Sequence, residues 1–254
     1  MKNFSKETVQ TAKNLRLIDD TLFRLVASEP GACQEILRTL LGDCKLEVLS
    51  VTPQETMVSL HREICLDVLC QLGNGRFANI EMQKGDVNDD IRRCRFHLSS
   101  ITANRTPKGT DFKDIPDVSV LYITEYDALG NNQTVTCTEM CQCVNGEYIP
   151  VNDGAKIYYA NTAVKDDTDK SELLSLFLKR DSFESEKFPK LSKAVKYYKS
   201  DEKGMIKMCE IVEEYAKDKV LEIAKKMLAD GMSDEKISEL TNLSLDEVKA
   251  LHSN

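Results

Sequence analysis

The 254-residue chain has no apolar run long enough to cross a bilayer, so no membrane-spanning helix and no membrane partner are expected. Its opening stretch, Met1 to Lys13, is polar and charged and lacks the apolar core of a secretory signal, so a cytoplasmic location is expected. There are only three histidines, His61, His97 and His252, and they are scattered. The nine cysteines form no C-x-x-C pair, and the cluster Cys137, Cys141 and Cys143 has the wrong spacing for one, so no structural zinc is expected. An odd cysteine count without an export signal points to reduced thiols, most of them expected as small apolar core residues. Positive charge is also short. The net charge of −8 argues against a protein that coats nucleic acid by bulk attraction. It does not exclude a nuclease, because the local field beside the phosphate decides, and a bound divalent cation supplies much of that field.

What is present is a chain of a size that buries a sizeable core, as one domain or as a domain with a small appendage, with no repeat or low-complexity segment. Apolar positions at helical spacing cover residues 14–28 ahead of the Glu29-Pro30-Gly31 break. A second helix is expected over Cys33 to Leu41, with Gly42 as its stop. Strands are expected at 46–51, 57–60, 64–70 and 77–83, then a helix from Val87 to Ala103 opened by Asp89 and Asp90. Residues 118–126 are strongly β-prone and 133–163 are β-rich. Charged helices follow from Ser171 to Asp201, and Lys203 to Ser253 reads as one long helix and two short ones.

The informative pair is Asp67 and Glu81. Two apolar, strand-like runs, Glu63-Ile64-Cys65-Leu66-Asp67-Val68-Leu69 and Asn79-Ile80-Glu81-Met82-Gln83, each carry an acid, and Gly73-Asn74-Gly75 between them reads as a hairpin turn. Alternation along a strand puts Glu81 and Gln83 on one face, with Ile80 and Met82 on the other. A carboxylate in the middle of each of two adjoining strands is costly to bury unless its charge is compensated, and a divalent metal would do that. The alternative is that both acids lie on the solvated face of an amphipathic hairpin.

These segments, in this order, resemble the Rpn (recombination-promoting nuclease) and transposase-like family of the PD-(D/E)XK nuclease superfamily. The matching words are Asp20-Thr21-Leu22-Phe23-Arg24, Arg62-Glu63-Ile64-Cys65-Leu66-Asp67-Val68 and Asn79-Ile80-Glu81-Met82-Gln83, then Arg93-Cys94-Arg95-Phe96, Val118 to Gly130, and Ile223 to Met232. The resemblance spans nearly the whole chain. It implies an α/β, restriction-endonuclease-like fold, a central mixed β-sheet flanked by helices, over residues 14–200, with a helical C-terminal extension over 201–254.

The resemblance also implies a divalent-metal-dependent DNA endonuclease, of a role linked to recombination, mobile elements or defence. Mg²⁺, Mn²⁺ or Ca²⁺ would be held by Asp67 and Glu81, with the backbone carbonyl of Met82 as a third ligand. Asp20 would be a further metal ligand by its Asp-x-x-Phe match, although an acid at a helix start also simply complements the macrodipole. Gln83 stands where the wider superfamily has a lysine; a neutral amide can orient a water but is no proton acceptor at neutral pH. Cys65 stands where the family commonly has an arginine, and Glu63 would be a rim carboxylate or merely exposed. Arg93 and Arg95 are candidates to grip DNA phosphate, or else pair with Asp89 and Asp90 on a solvated face. Two residues apart, they do not face the same way. Lys84 is a third candidate for DNA phosphate, although it should point to the opposite face of a regular strand unless a bulge redirects it.

In the tail, Ser233 and Ser244 read as caps of two short helices that resemble a helix-turn-helix. The second offers Asp246, Glu247 and only Lys249, so packing or homo-oligomer formation is expected in place of base reading. The competing class for the whole chain is a degenerate nuclease fold that acts as a binding module. A third reading is a different metal-dependent phosphoesterase built on the same acids.

Overall fold

A computed structural model describes residues 4–58, 63–85 and 90–253. It resolves into two compact units, one of residues 13–205 and one of the residues up to Ala12 together with Ile206 onward. The chain opens with α1 (Lys6–Asn14), α2 (Asp20–Ala27) and α3 (Pro30–Leu41). The first of these was not expected from its polar sequence, and α2 starts later than the pattern over 14–28 suggests. Pro30 fixes the start of α3, where its missing N–H costs nothing, and Gly42 ends it in the left-handed conformation at φ 74°, as the sequence predicts.

Strand β1 (Val48–Val58) runs antiparallel to β2 (Glu63–Leu72), which runs antiparallel to β3 (Phe77–Gln83). Residues 59–60 lie outside the described residues, and as far as Val58 the strands expected at 46–51 and 57–60 fall on a single element. Its apolar pattern is broken by Pro53 and Gln54, but β1 is an edge strand, where a proline is tolerated, and Gln54 absorbs the irregularity at φ 54°. The β2–β3 turn has Asn74 and Gly75 both at positive φ, the conformation that Gly73-Asn74-Gly75 suits. Helix α4 (Arg92–Asn104) then crosses to β4 (Val118–Thr124), which lies parallel to β3. Val87 and Asp89, expected in that helix, lie outside the described residues, as do Arg62 and His61.

After β4 come β5 (Val135–Glu139), the β6–β7 hairpin (Cys141–Val144, Glu147–Pro150) and β8 (Ala155–Asn161). The main sheet has the order β1-β2-β3-β4-β8-β5, with β3, β4 and β8 parallel and the others antiparallel. Its two central strands, β3 and β4, are buried and correspondingly apolar. One face packs on α4 through Leu66, Leu69, Ile101, Val120 and Tyr122. The first two helices after α1 contact β1. Helices α5 (Asp169–Leu176) and α6 (Pro189–Ser200) pack against α3. Burying each such large apolar side chain is worth roughly 1.5–3 kcal/mol, which makes this layering the main source of stability. Glu35 of α3 fastens α6 by accepting the Lys190 and Leu191 N–H groups at 3.0 and 2.9 Å.

The second unit holds most of α7 (Glu202–Ala229), α8 (Asp234–Thr241) and α9 (Leu245–Ala250). Ala224, Ile237, Leu243 and Val248 form its core. Ser233 caps α8, and Ser244 with Glu247 makes a full capping box on α9.

The cysteines depart from expectation. Five of the nine (Cys44, Cys65, Cys137, Cys141 and Cys143) are exposed, and only Cys33, Cys70, Cys94 and Cys209 are buried. Cys141 and Cys143 lie on the two-stranded hairpin outside the main sheet, and both strands of that hairpin are exposed throughout.

Candidate active site

Two interruptions of the sheet surround Asp67. On one side, β2 and β3 are paired from Gln71↔Phe77 to Val68↔Ile80, and the ladder stops there. The next rung would set Asp67 opposite Glu81, yet β2 continues along β1 and β3 continues along β4. The two strands therefore part where the acids stand. On the other side, the β1–β2 register passes from Pro53↔Val68 to Glu55↔Leu66 with no Gln54–Asp67 rung, and Gln54 is the residue at positive φ. Left-handed backbone at a non-glycine residue costs free energy and is concentrated at functional sites.

Side chains take over the bonds that the ladder gives up. The Met82 N–H donates to Asp67 Oδ2 at 2.8 Å, and the Asp67 N–H donates to Glu81 Oε1 at 3.2 Å. Glu81 is fully buried and also accepts from Asn79 Nδ2 at 2.7 Å. From α4, Arg93 Nη2 reaches Glu81 Oε2 at 3.4 Å, and Arg93 Nη1 donates to Gln83 Oε1 at 3.4 Å. Glu81 and Gln83 thus share the face toward α4. Gln83 spends its amide N–H on the Gly85 carbonyl at 2.7 Å. His97 Nδ1 stands 3.3 Å from Glu81 Oε1 without the alignment of a hydrogen bond, and this buried nitrogen has no hydrogen-bond partner among the described residues.

The charge balance is negative. Burial, then the negative charges of Glu81 and Asp20, hold the Asp67 carboxyl well above the usual carboxylate range, against the opposing effect of the Met82 amide and Arg93. Partial burial and the charges of Asp67, Glu81 and Asp20 push the Cys65 thiol up, and its Sγ donates to Gln54 Oε1. Asp20 begins α2, accepts from Gln54 Nε2 at 3.4 Å and lies 3.9 Å from Arg24 Nε. Lys84 pairs with Asp19, and Arg95 and Glu63 are exposed on a neighbouring cleft.

A hard divalent cation fits this donor set. The two carboxyl groups are oxygen donors, Glu81 countered by Arg93 at 3.4 Å and Asp67 by no cation closer than that same guanidinium among the described residues. The Met82 carbonyl leaves its strand on the same edge as the Met82 N–H that reaches Asp67, because the Gln83 carbonyl already bonds Glu125 on the opposite edge. No group of three or more His, Cys, Asp or Glu residues is gathered around one point among the described residues, so Asp20 does not complete a three-carboxylate cage. Mg²⁺ needs no such cage, since one or two carboxylates with retained waters and substrate phosphate suffice.

Sequence reasoning missed Asn79, His97 and Gln54. The first lies two residues before Glu81, on the same strand face, and the second lies four after Arg93, on the same helix face; both periodicities were readable. Gln54 left only a polar break in an apolar run.

A mixed sheet flanked by helices, with two strands parted around a pair of acids, is a restriction-endonuclease-like α/β fold. The family model for PD-(D/E)XK nuclease family transposases matches residues 34–252, and the chain belongs to that family. No curated protein matches it.

Proposed function

We propose that the protein is a divalent-metal-dependent DNA endonuclease. The observation that carries this reading is the parting of β2 and β3 at Asp67 and Glu81, which sets two carboxylates and a strand carbonyl on one gap. Asp67, Glu81 and the Met82 carbonyl would hold Mg²⁺, Mn²⁺ or Ca²⁺. When bound, the cation polarises the scissile phosphate, eases deprotonation of the attacking water and offsets the charge of the transition state.

The remaining roles fall to the chain's own side chains. Arg93 sits over Glu81 and Gln83 with a fork of donors suited to two phosphate oxygens. The second N–H of the Gln83 amide, beyond the one given to Gly85, would orient water by a hydrogen bond, and the amide takes no proton. Asn79 and the Asp67 N–H fix the Glu81 carboxylate so that its position does not depend on substrate.

The test is cleavage of plasmid DNA at low salt with each of the three metals, using wild type, Asp67→Asn and Glu81→Gln. Metal-dependent nicking that both variants lose is the expected result. Intact plasmid with every metal would leave the chain a binding module on a nuclease scaffold, and nicking that survives both substitutions would take the chemistry away from Asp67 and Glu81.

A further inference from the structure

Helix α4 presents two functional faces. Arg93 and His97, one turn apart, meet the acids. Arg92, Arg95, Phe96 and Ser99, at the spacing i, i+3, i+4, i+7, form a second stripe that lines a cleft of about 720 Å³, which Arg93 and His97 also border and to which Glu63 and Asp90 contribute acids. Phe96 is 37% exposed there, between arginines. The Arg92 guanidinium makes an exposed pair with Asp90 at 3.4 Å, a contact of little strength that a phosphate can replace.

We propose that this stripe binds an unpaired stretch of the DNA substrate, with phosphates on Arg92 and Arg95 and a base stacked on Phe96. The inference rests on the nuclease reading and names its substrate class: DNA with single-stranded character beside the cut, such as a flap or gap. Two observations carry it. An aromatic ring interleaved with arginines is the surface on which unstacked bases lie, because every base offers a π-face and every linkage a phosphate. The cleft's volume is that of a site for a drug-sized molecule, one or two nucleotides, and is far too small to enclose a duplex. Arg93, shared between the cleft and Glu81, joins this track to the acids.

The experiment is fluorescence-anisotropy binding of the full chain, in EDTA, to a labelled single-stranded oligonucleotide and to its blunt duplex, followed by cleavage of flapped and blunt duplexes with Mg²⁺. Tighter binding of the single strand is expected. Phe96→Ala should weaken it roughly tenfold and leave duplex binding unchanged, while Phe96→Trp keeps it. Arg95→Ala should lower the salt slope by roughly 0.7 on the single strand. Equal or tighter duplex binding, or loss on Phe96→Ala that is the same for both DNAs, overturns the proposal. Cleavage of blunt duplex without single-strand preference would sink this inference and spare the nuclease reading. Single-strand preference without any cleavage would do the reverse.

Discussion

Asp67 and Glu81 each hold a backbone amide at the other's position: Glu81 Oε1 accepts the Asp67 N–H, and Asp67 Oδ2 accepts the N–H of Met82, the residue after Glu81. The two carboxylates thereby replace the ladder bonds lost where β2 and β3 part. Their placement is built into the sheet and needs no ligand to create it.

Isosteric amides should therefore separate structure from chemistry. In Glu81→Gln the side-chain oxygen still accepts from Asp67 and Asn79, so stability should stay within about 1 kcal/mol of wild type. Divalent-metal binding, followed by calorimetry with Mn²⁺, should fall at least tenfold, since a charged ligand is gone. Unchanged Mn²⁺ affinity in a folded Glu81→Gln protein would remove Glu81 from the ligand set.

The raised Asp67 carboxyl gives a sign for the pH dependence. Burial, with the charges of Glu81 and Asp20, makes the folded state keep this proton at pH values where the unfolded chain has released it. The folded state then binds more protons, and stability falls as pH rises from about 4 through the folded pKa, by about 1.4 kcal/mol for each unit of elevation. Metal-free wild type should lose melting temperature over this window relative to Asp67→Asn, which does not titrate, and saturating Mg²⁺ should flatten the difference. Parallel melting curves for the two proteins between about pH 4 and pH 8 would refute the assignment.

Much of the fold was legible because its signals are local. Strand β3 ends where the sequence reading put it, and Gly42 stops α3 as its lack of a Cβ suggests. Asp67 and Glu81 stood out because period-two alternation makes an acid conspicuous in an apolar strand. The parting of β2 from β3 was not legible, since nothing in either strand alone says where their pairing stops. Gln54 was hidden for a similar reason: its positive φ matters only because Asp67 lies across from it. His97 was passed over as one of three scattered histidines, when its helical spacing from Arg93 was the useful relation.

Arg93 acts as the counter-charge of the buried Glu81 carboxylate, so a cation arriving at Glu81 would displace it and a phosphate would pair with it. Arg93→Ala should destabilise the metal-free protein by about 1 kcal/mol, a modest figure because the guanidinium is 40% exposed and water replaces part of it. Mg²⁺ should restore that loss in urea melts, yet cleavage should stay depressed at least tenfold because the phosphate fork is missing. Full cleavage by Arg93→Ala would assign Arg93 to structure alone.

Two glycines in the larger unit offer opposite outcomes for the same substitution. A Cβ on Gly204 would fall on the carbonyl oxygen of Tyr197 and close to its carbonyl carbon, both backbone atoms with no freedom to yield. Gly204→Ala should cost about 3 kcal/mol through this overpacking and lower the melting temperature by roughly 6–12 °C. A Cβ on Gly31 would meet Lys190 Cδ at 2.6 Å, but that side chain is flexible and can swing aside, and alanine improves helix propensity within α3. Gly31→Ala should therefore stay within about 0.5 kcal/mol of wild type. Equal melting temperatures for the two variants would show that α6 and α7 do not approach through Gly204 as closely as the backbone path requires.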